Sequence, residues 1–211
     1  MVHNEAKFKK NIISATNVFN RENEGLSKAA NQGAKLAVKK FVCLVDDDMT
    51  VTEKWDIHLY NAHVLTRSNW VCSTRVEPIP CPSNVSTALY RDGEYDPNKH
   101  NWYNQISNTP LLIPRHFWLK IGGYDEDFET IGAELGLAKR AYDNGVRGFV
   151  QTPYSVVIHQ QSQSTKRLPE IRKHRKKRDE TFRRKYNMDR KSFIKLIGKN
   201  DPYSIPLAHF I

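Results

Sequence analysis

The sequence predicts an α/β fold, a mainly parallel central sheet flanked by helices and followed by a basic helical tail. Three observations predict it. Short apolar runs of strand length alternate with longer segments whose apolar residues keep helical spacing. One of those runs, Phe41–Val45, is apolar throughout, as in strands covered on both faces of a parallel sheet. Finally, positive charge collects in one place: the chain carries a net +10 over 211 residues, and Lys166 to Lys191 hold 13 Lys/Arg against 4 Asp/Glu, leaving the rest nearly neutral. That length supports one domain with a core and a tail rather than two full domains. The expected division is a domain over 1–165 and a basic helical tail and C-terminal segment over 166–211.

The elements follow in order. Residues 11–19, NIISATNVF, predict a strand, the polar NREN a turn, and Leu26, Ala29, Ala30, Gly33 and Ala37 space a helix. Phe41–Val45 is the buried strand, and it delivers Asp46, Asp47 and Asp48 at its C-terminal end, where open α/β sheets bind ligands. A helix over 52–65 takes Thr52 as its N-cap, and Asn69–Val76 is a strand. Residues 77–110, with Tyr90, Tyr95, Trp102 and Tyr103 among Pro, Asn and Ser, form a loop of the length that marks functional or mobile segments. Pro114–Ile121 opens a short helix stopped by Gly122-Gly123, and a further helix ends at Gly145 as a left-handed cap. Arg147–His159 holds one or two strands, 168–186 is a strongly basic helix, and the apolar PYSIPLAHFI docks on the domain or a partner.

Composition narrows the setting. Hydrophobic residues at 39% and aromatics at 10% fit a globular chain. No apolar run reaches bilayer-spanning length, and MVHNEAKFKKN lacks the apolar centre of a secretory signal. Cys43, Cys72 and Cys81 form no CxxC pair and are odd in number. A reducing cytoplasm is expected, at the inner membrane face or in a host cytoplasm if the chain is viral, with Cys43 in the core.

Three consecutive aspartates repel one another unless a cation lies among them. Asp46-Asp47-Asp48 has two readings from the residues themselves. One is a turn and helix start, where Asp is favoured and the dipole is complementary. The other is a divalent site: carboxylates suit Mg²⁺ or Mn²⁺, and alternate residues of an extended segment face one side, so Asp46 and Asp48 can share an ion that keeps open positions for substrate phosphates.

A longer pattern bears on the choice. Asn23-x-Gly25-x-x-x-Ala29-x-Asn31-x-Gly33 is followed by the apolar strand into Asp46-Asp47-Asp48. Then come Gly122-Gly123-Tyr124-Asp125-Glu126-x-Phe128, an acid before Leu137-x-x-Arg140, and a strand closing in His159. In this order, over roughly residues 12–160, the pattern resembles the glycosyltransferases of family 2, which have the GT-A fold. The resemblance implies Mn²⁺ or Mg²⁺ held by Asp46, Asp48 and His159 on the diphosphate of a nucleotide sugar. It implies donor contacts from Asn23, Gly25, Lys28, Asn31, Asp46 and Asp47, and an acceptor side formed by Trp102, Gly122, Gly123, Asp125 and Glu126. The family's Glu-Asp pair is here Ala133-Glu134, so Glu134 is the candidate base. Family members begin with a further strand and helix, so the N-terminus is expected to lack at least one βαβ unit of about 30 residues: either a second chain supplies it, or the gene start is shortened, or the fold tolerates a reduced base pocket.

The function so implied is a metal-dependent inverting transfer of sugar from a nucleotide-sugar donor to an acceptor hydroxyl, first of a surface glycan. Residues 166–191 also suit DNA, as in phage-type enzymes that glycosylate modified bases, or an anionic leaflet. Two other classes compete: a non-catalytic glycosyltransferase-like protein that binds nucleotides or polyanions, and a metal-dependent phosphotransferase or nuclease.

Overall fold

The computed structural model describes residues 2–3, 18–76, 101–102, 110–128, 131–159 and 171–199. Most of the strand expected at 11–19, the aromatics Tyr90, Tyr95 and Tyr103, and the apolar C-terminal segment lie outside the described residues. Strands β1 (Val2–His3) and β2 (Val18–Phe19) pair in parallel. Helix α1 (Leu26–Leu36), strand β3 (Phe41–Leu44), strand β4 (Met49–Val51), helix α2 (Trp55–Thr66) and strand β5 (Val71–Val76) follow. Next are β6 (Asn101–Trp102), β7 (Leu111–Pro114), α3 (Arg115–Ile121), α4 (Ala133–Asp143) and β8 (Val150–His159). Two helices, α5 (Ile171–Tyr186) and α6 (Arg190–Lys199), end the described chain.

The larger sheet has the order β3-β7-β5-β8-β4, with β6 also on β8. It is mixed, which corrects the mainly parallel sheet expected. β5 and β8 pair in parallel, while β3–β7, β5–β7, β4–β8 and β6–β8 are antiparallel. The physical reason lies in the connections. Helix α2 between β3 and β5, and α3 with α4 before β8, are crossovers that make β3, β5 and β8 run the same way. The short strands β7 and β4 then insert in reverse, and no crossover pattern reveals them in advance.

Two further expectations are corrected. The run Phe41–Val45 is not covered throughout: Val42 is buried, whereas Cys43 and Val45 are exposed, because β3 stands at the end of the described strand order. Thr52 does not cap α2. The helix opens at Trp55 behind Lys54 in the left-handed region, and the Thr52 hydroxyl donates to the Val156 carbonyl at 2.8 Å. The unexpected strand β4 occupies the residues before it and pushes the helix start on. Arg147–His159 contributes one strand, β8, whose register against β5 jumps from Ser73↔Thr152 to Thr74↔Val156. Pro153, which cannot donate to a ladder, sits within that irregular stretch. Gly145, with φ 98°, follows α4 as expected.

The core joins the sheet to the basic helices. Val42, Leu111 and Ile113 belong to the same buried cluster as Phe117, Trp118, Phe128, Leu137, Phe182, Phe193 and Ile197. Burying each Phe contributes about 2–3 kcal/mol, so α5 and α6 are held to the sheet by apolar contact despite their charge. No helix among the described residues is long and apolar enough to cross a membrane.

Candidate active site

Strand pairing builds the first part of the site. β3 leads into the aspartates, a turn closes with the Met49 N–H on the Asp46 carbonyl at 3.3 Å, and β4 then pairs Met49 opposite His159. Residues far apart in sequence thereby meet: Asp48 Oδ2 lies 3.2 Å from His159 Nε2. His159 is buried and Asp48 half-buried, and the pair stands where β8 ends. Among the described residues no group of three His, Cys, Asp or Glu side chains forms a ready cage. Mg²⁺ and its relatives are held by one or two carboxylates plus substrate phosphates, so a carboxylate beside an imidazole fits that chemistry.

The turn after α3 forms the second part. Gly122 (φ 79°) and Gly123 (φ 63°) both take the left-handed region that glycine tolerates, and the Gly123 N–H donates to the Trp118 carbonyl at 3.0 Å. Asn31 of α1 then clasps the loop from across the molecule. Its Oδ1 accepts the Tyr124 N–H at 2.8 Å, and its amide donates to the Tyr124 carbonyl at 2.9 Å and to Glu126 Oε1 at 3.0 Å. A Cβ on Gly123 would meet both Asn31 Oδ1 and the Trp118 ring. The space left by the missing side chain is thus filled by protein, and Asn31, expected to touch the donor, spends its amide on the loop. Ser27 adds a bond to the Phe128 carbonyl at 2.8 Å.

Tyr124 links the two parts. It is buried, and burial, then the charge of Glu134, then that of Asp46, push its phenol well above the usual tyrosine range. The end of β3, the Gly-Gly turn and the head of α4 therefore converge within electrostatic reach of one ring. Glu134 sits in the first turn of α4, where the helix dipole favours a carboxylate. Ala133 beside it is 1% exposed. An acid there would be buried in the core, which is a physical reason for alanine at that position.

Asp125 is built differently. Its carboxylate is buried and takes the Lys185 ammonium at 2.7 and 2.8 Å, the Tyr186 hydroxyl at 3.1 Å, the Asp127 N–H at 3.1 Å and Arg140 at 3.2 Å. Burial alone would raise its pKa, but Lys185, the Asp127 amide and Arg140 outweigh it and hold the carboxyl below the usual range. Arg140 also donates to the Gly122 and Gly123 carbonyls at 3.2 Å, closing the end of α3. Asp125, expected on the acceptor side, ties α4, α5 and the loop together. Lys185 and Tyr186 carried no signal in the sequence, since they sit among many cations. Arg140 was visible only as a spaced residue without a partner.

The remaining candidates are scattered. Asn23 Oδ1 accepts the Gly25 N–H at 2.9 Å, and exposed Lys28 pairs with Glu24 at 3.2 Å on the surface of α1. Asp47 is exposed. Trp102 pairs with Val150, at the opposite end of β8 from His159, roughly 25–30 Å away by strand rise. The structure brings Asp48 to His159 and sets Asp46 and Glu134 within electrostatic reach of Tyr124, and it places Trp102 at the far end of β8 from His159.

Fold and site together define an α/β protein whose candidate polar residues gather at strand ends, where ligands bind in this class. The chain belongs to glycosyl transferase family 2: residues 6–125 match that family. The structure has the GT-A fold. It is similar to GalNAc-T7, whose crystal structure holds UDP, GalNAc and Mn²⁺, with a TM-score of 0.55 and 14% identity over 88% of this chain and 43% of that one. It is also similar to TarS of S. aureus, with a TM-score of 0.53 and 12% identity over 84% of this chain and 34% of that one. The chain thus spans less than half the length of these structures. No curated protein matches it by sequence.

Proposed function

We propose that this chain carries the donor site and the catalytic base of a metal-dependent inverting glycosyltransferase that uses a nucleotide sugar, with a glycan as acceptor. The observation that carries the reading is the 3.2 Å approach of Asp48 to His159, made by the Met49–His159 register of β4 on β8. Asp48 and His159 would hold Mn²⁺ or Mg²⁺, with Asp46 and Asp47 beside the nucleotide. Such an ion supplies Lewis-acid neutralisation of a departing diphosphate.

The chain's own residues do the rest. Glu134, at the head of α4, takes the proton of the acceptor hydroxyl as its oxygen attacks the anomeric carbon from the side opposite the leaving diphosphate. The C1–O bond to the diphosphate breaks as the new glycosidic bond forms, so the configuration inverts. Buried Tyr124 feels the charges of both Glu134 and Asp46, and the Asn31 clasp fixes the loop that carries it.

The test is calorimetric titration of a panel of nucleoside diphosphates, with and without Mn²⁺, into the wild type and Asp48→Ala. The reading predicts Mn²⁺-dependent binding of one nucleotide that the substitution abolishes. Equal binding by both proteins, or binding of no nucleotide, contradicts it.

A further inference from the structure

The larger sheet is covered on its two sides by unequal layers. Successive residues of a strand point to opposite sides. Val42, Cys72, Leu111 and Ile113 enter the cluster that also holds side chains of α1, α3, α4, α5 and α6. Val71, Leu112 and Val150 enter the other cluster, where α2 is the one helix, through Leu59 and Ala62. On that side of the described molecule the outer surface of α2 is what the protein presents.

That surface does not have the composition of a solvated one. A helix lying singly on a sheet buries one stripe and turns charged residues outward. Helix α2 has a single charged residue among its twelve, Asp56. Ile57, Tyr60, Val64 and Leu65 are 51%, 49%, 53% and 42% exposed. With exposed Asn61 they keep the spacing of one helix face, turned away from Leu59 and Ala62. Phe41 meets the Tyr60 ring edge to face with centroids 5.7 Å apart, so one border of the face is held by the fold. An apolar stripe of this kind marks an interaction surface.

The charges at its two ends say what covers it. Asp56 is in the first turn of α2 and Arg67 is the C-cap, three turns further on, so both stand on the same side as Tyr60. Both are exposed, and neither has an ion-pair partner among the described residues. Lys54, just before the helix, is matched by Glu53 at 3.4 Å. About 16 Å of helix separates Asp56 from Arg67, so the two cannot meet within one chain. A second α2 laid antiparallel across the first brings Asp56 to Arg67 at both ends and Ile57 to Val64 between them, because both pairs are centred close to Asn61. A two-fold axis there makes the contact self-complementary. The Asn61 amide, at once donor and acceptor, then faces its own copy.

We propose that the outward face of α2 is a homodimer interface, in which two copies of this chain pack α2 against α2 antiparallel about a two-fold axis near Asn61. This does not rest on the transferase reading above.

The test is sedimentation velocity of the full chain over a hundredfold range of concentration. The samples are the wild type, Val64→Glu, Asp56→Lys, Arg67→Glu and an equimolar mixture of the last two. Every substituted side chain is exposed, and circular dichroism of each sample checks that it is folded. The wild type is expected to pass from monomer to dimer as concentration rises. Val64→Glu sets a carboxylate in the apolar centre and is expected to weaken the dimer at least tenfold. Asp56→Lys and Arg67→Glu each set like charges face to face and are expected to weaken it at least fivefold. Their mixture is expected to regain the wild-type affinity, since both ends of the mixed pair then join opposite charges. A wild type that stays monomeric throughout, as it would if residues 202–211 or an unlike partner covered α2, would overturn the proposal. So would a dimer that Val64→Glu leaves intact, or a mixture that associates no better than its two components.

Discussion

Asp48 and Asp125 stand in motifs that look alike in the sequence, each an aspartate with acidic neighbours just after an apolar element, and the structure treats them in opposite ways. Asp48 lies half-buried at a strand end with an imidazole as its close partner. Asp125 is buried and surrounded by an ammonium, a guanidinium, a phenol and a backbone N–H. A carboxylate matched on all sides has little left to offer a ligand, whereas a half-buried one beside an imidazole at a strand end does. Surroundings, more than residue type, separate the acid that organises the fold from the acid suited to chemistry.

The contrast can be broken by substitution, beginning with the largest effects. Asp125→Ala leaves Lys185 and Arg140 without their buried partner and should destabilise the fold by about 3–5 kcal/mol, measured by urea unfolding. Glu134→Gln should lower the transfer rate by about 10²–10⁴-fold in a single-turnover assay, with unfolding little changed. Gly123→Ala forces a side chain into the left-handed region against Asn31 and Trp118, and should cost roughly 1–3 kcal/mol by the same urea measurement. Lys28→Ala removes an exposed pair on α1 and should shift stability by no more than about 0.5 kcal/mol.

Acid sharpens the same comparison. The folded-state pKa of Asp125 is lowered, so its contribution is present above the unfolded value of about 3.9 and is lost as pH falls through the folded value. Asp125→Asn should therefore be less stable than the wild type near neutrality, and the gap should narrow as pH drops below about 4. Urea midpoints across that range check it.

Much of this was legible in the sequence, for reasons particular elements make plain. Helix α1 announced itself by apolar spacing, α3 and α4 by their glycine stops, α5 by its run of basic residues, and the family by the spacing of the Asp and Gly-Gly stretches. The crossover helices revealed that β3, β5 and β8 run one way. They could not reveal β7 and β4, which are three or four residues long and enter in reverse. Asp48 and His159 could be named, but their meeting depends on the β4–β8 register, which no local pattern encodes. The roles of Asn31 and Asp125 were hidden because each is decided by partners in distant elements: Tyr124 for the one, Lys185 and Tyr186 for the other. A basic run reads as one solvated face until the packing of Phe182 shows which side is turned inward.

The central claim is that Asp48 serves ligand and Asp125 serves fold. The most direct measurement is the urea midpoint of Asp48→Ala and Asp125→Asn, each with and without UDP and Mn²⁺, since a ligand that binds only the folded state raises the midpoint. The account predicts that Asp48→Ala keeps the wild-type midpoint without ligand and loses the ligand-induced rise. It predicts that Asp125→Asn has a lowered midpoint and keeps the rise. The reverse pattern, with Asp48→Ala unstable but responsive and Asp125→Asn stable but unresponsive, would contradict it.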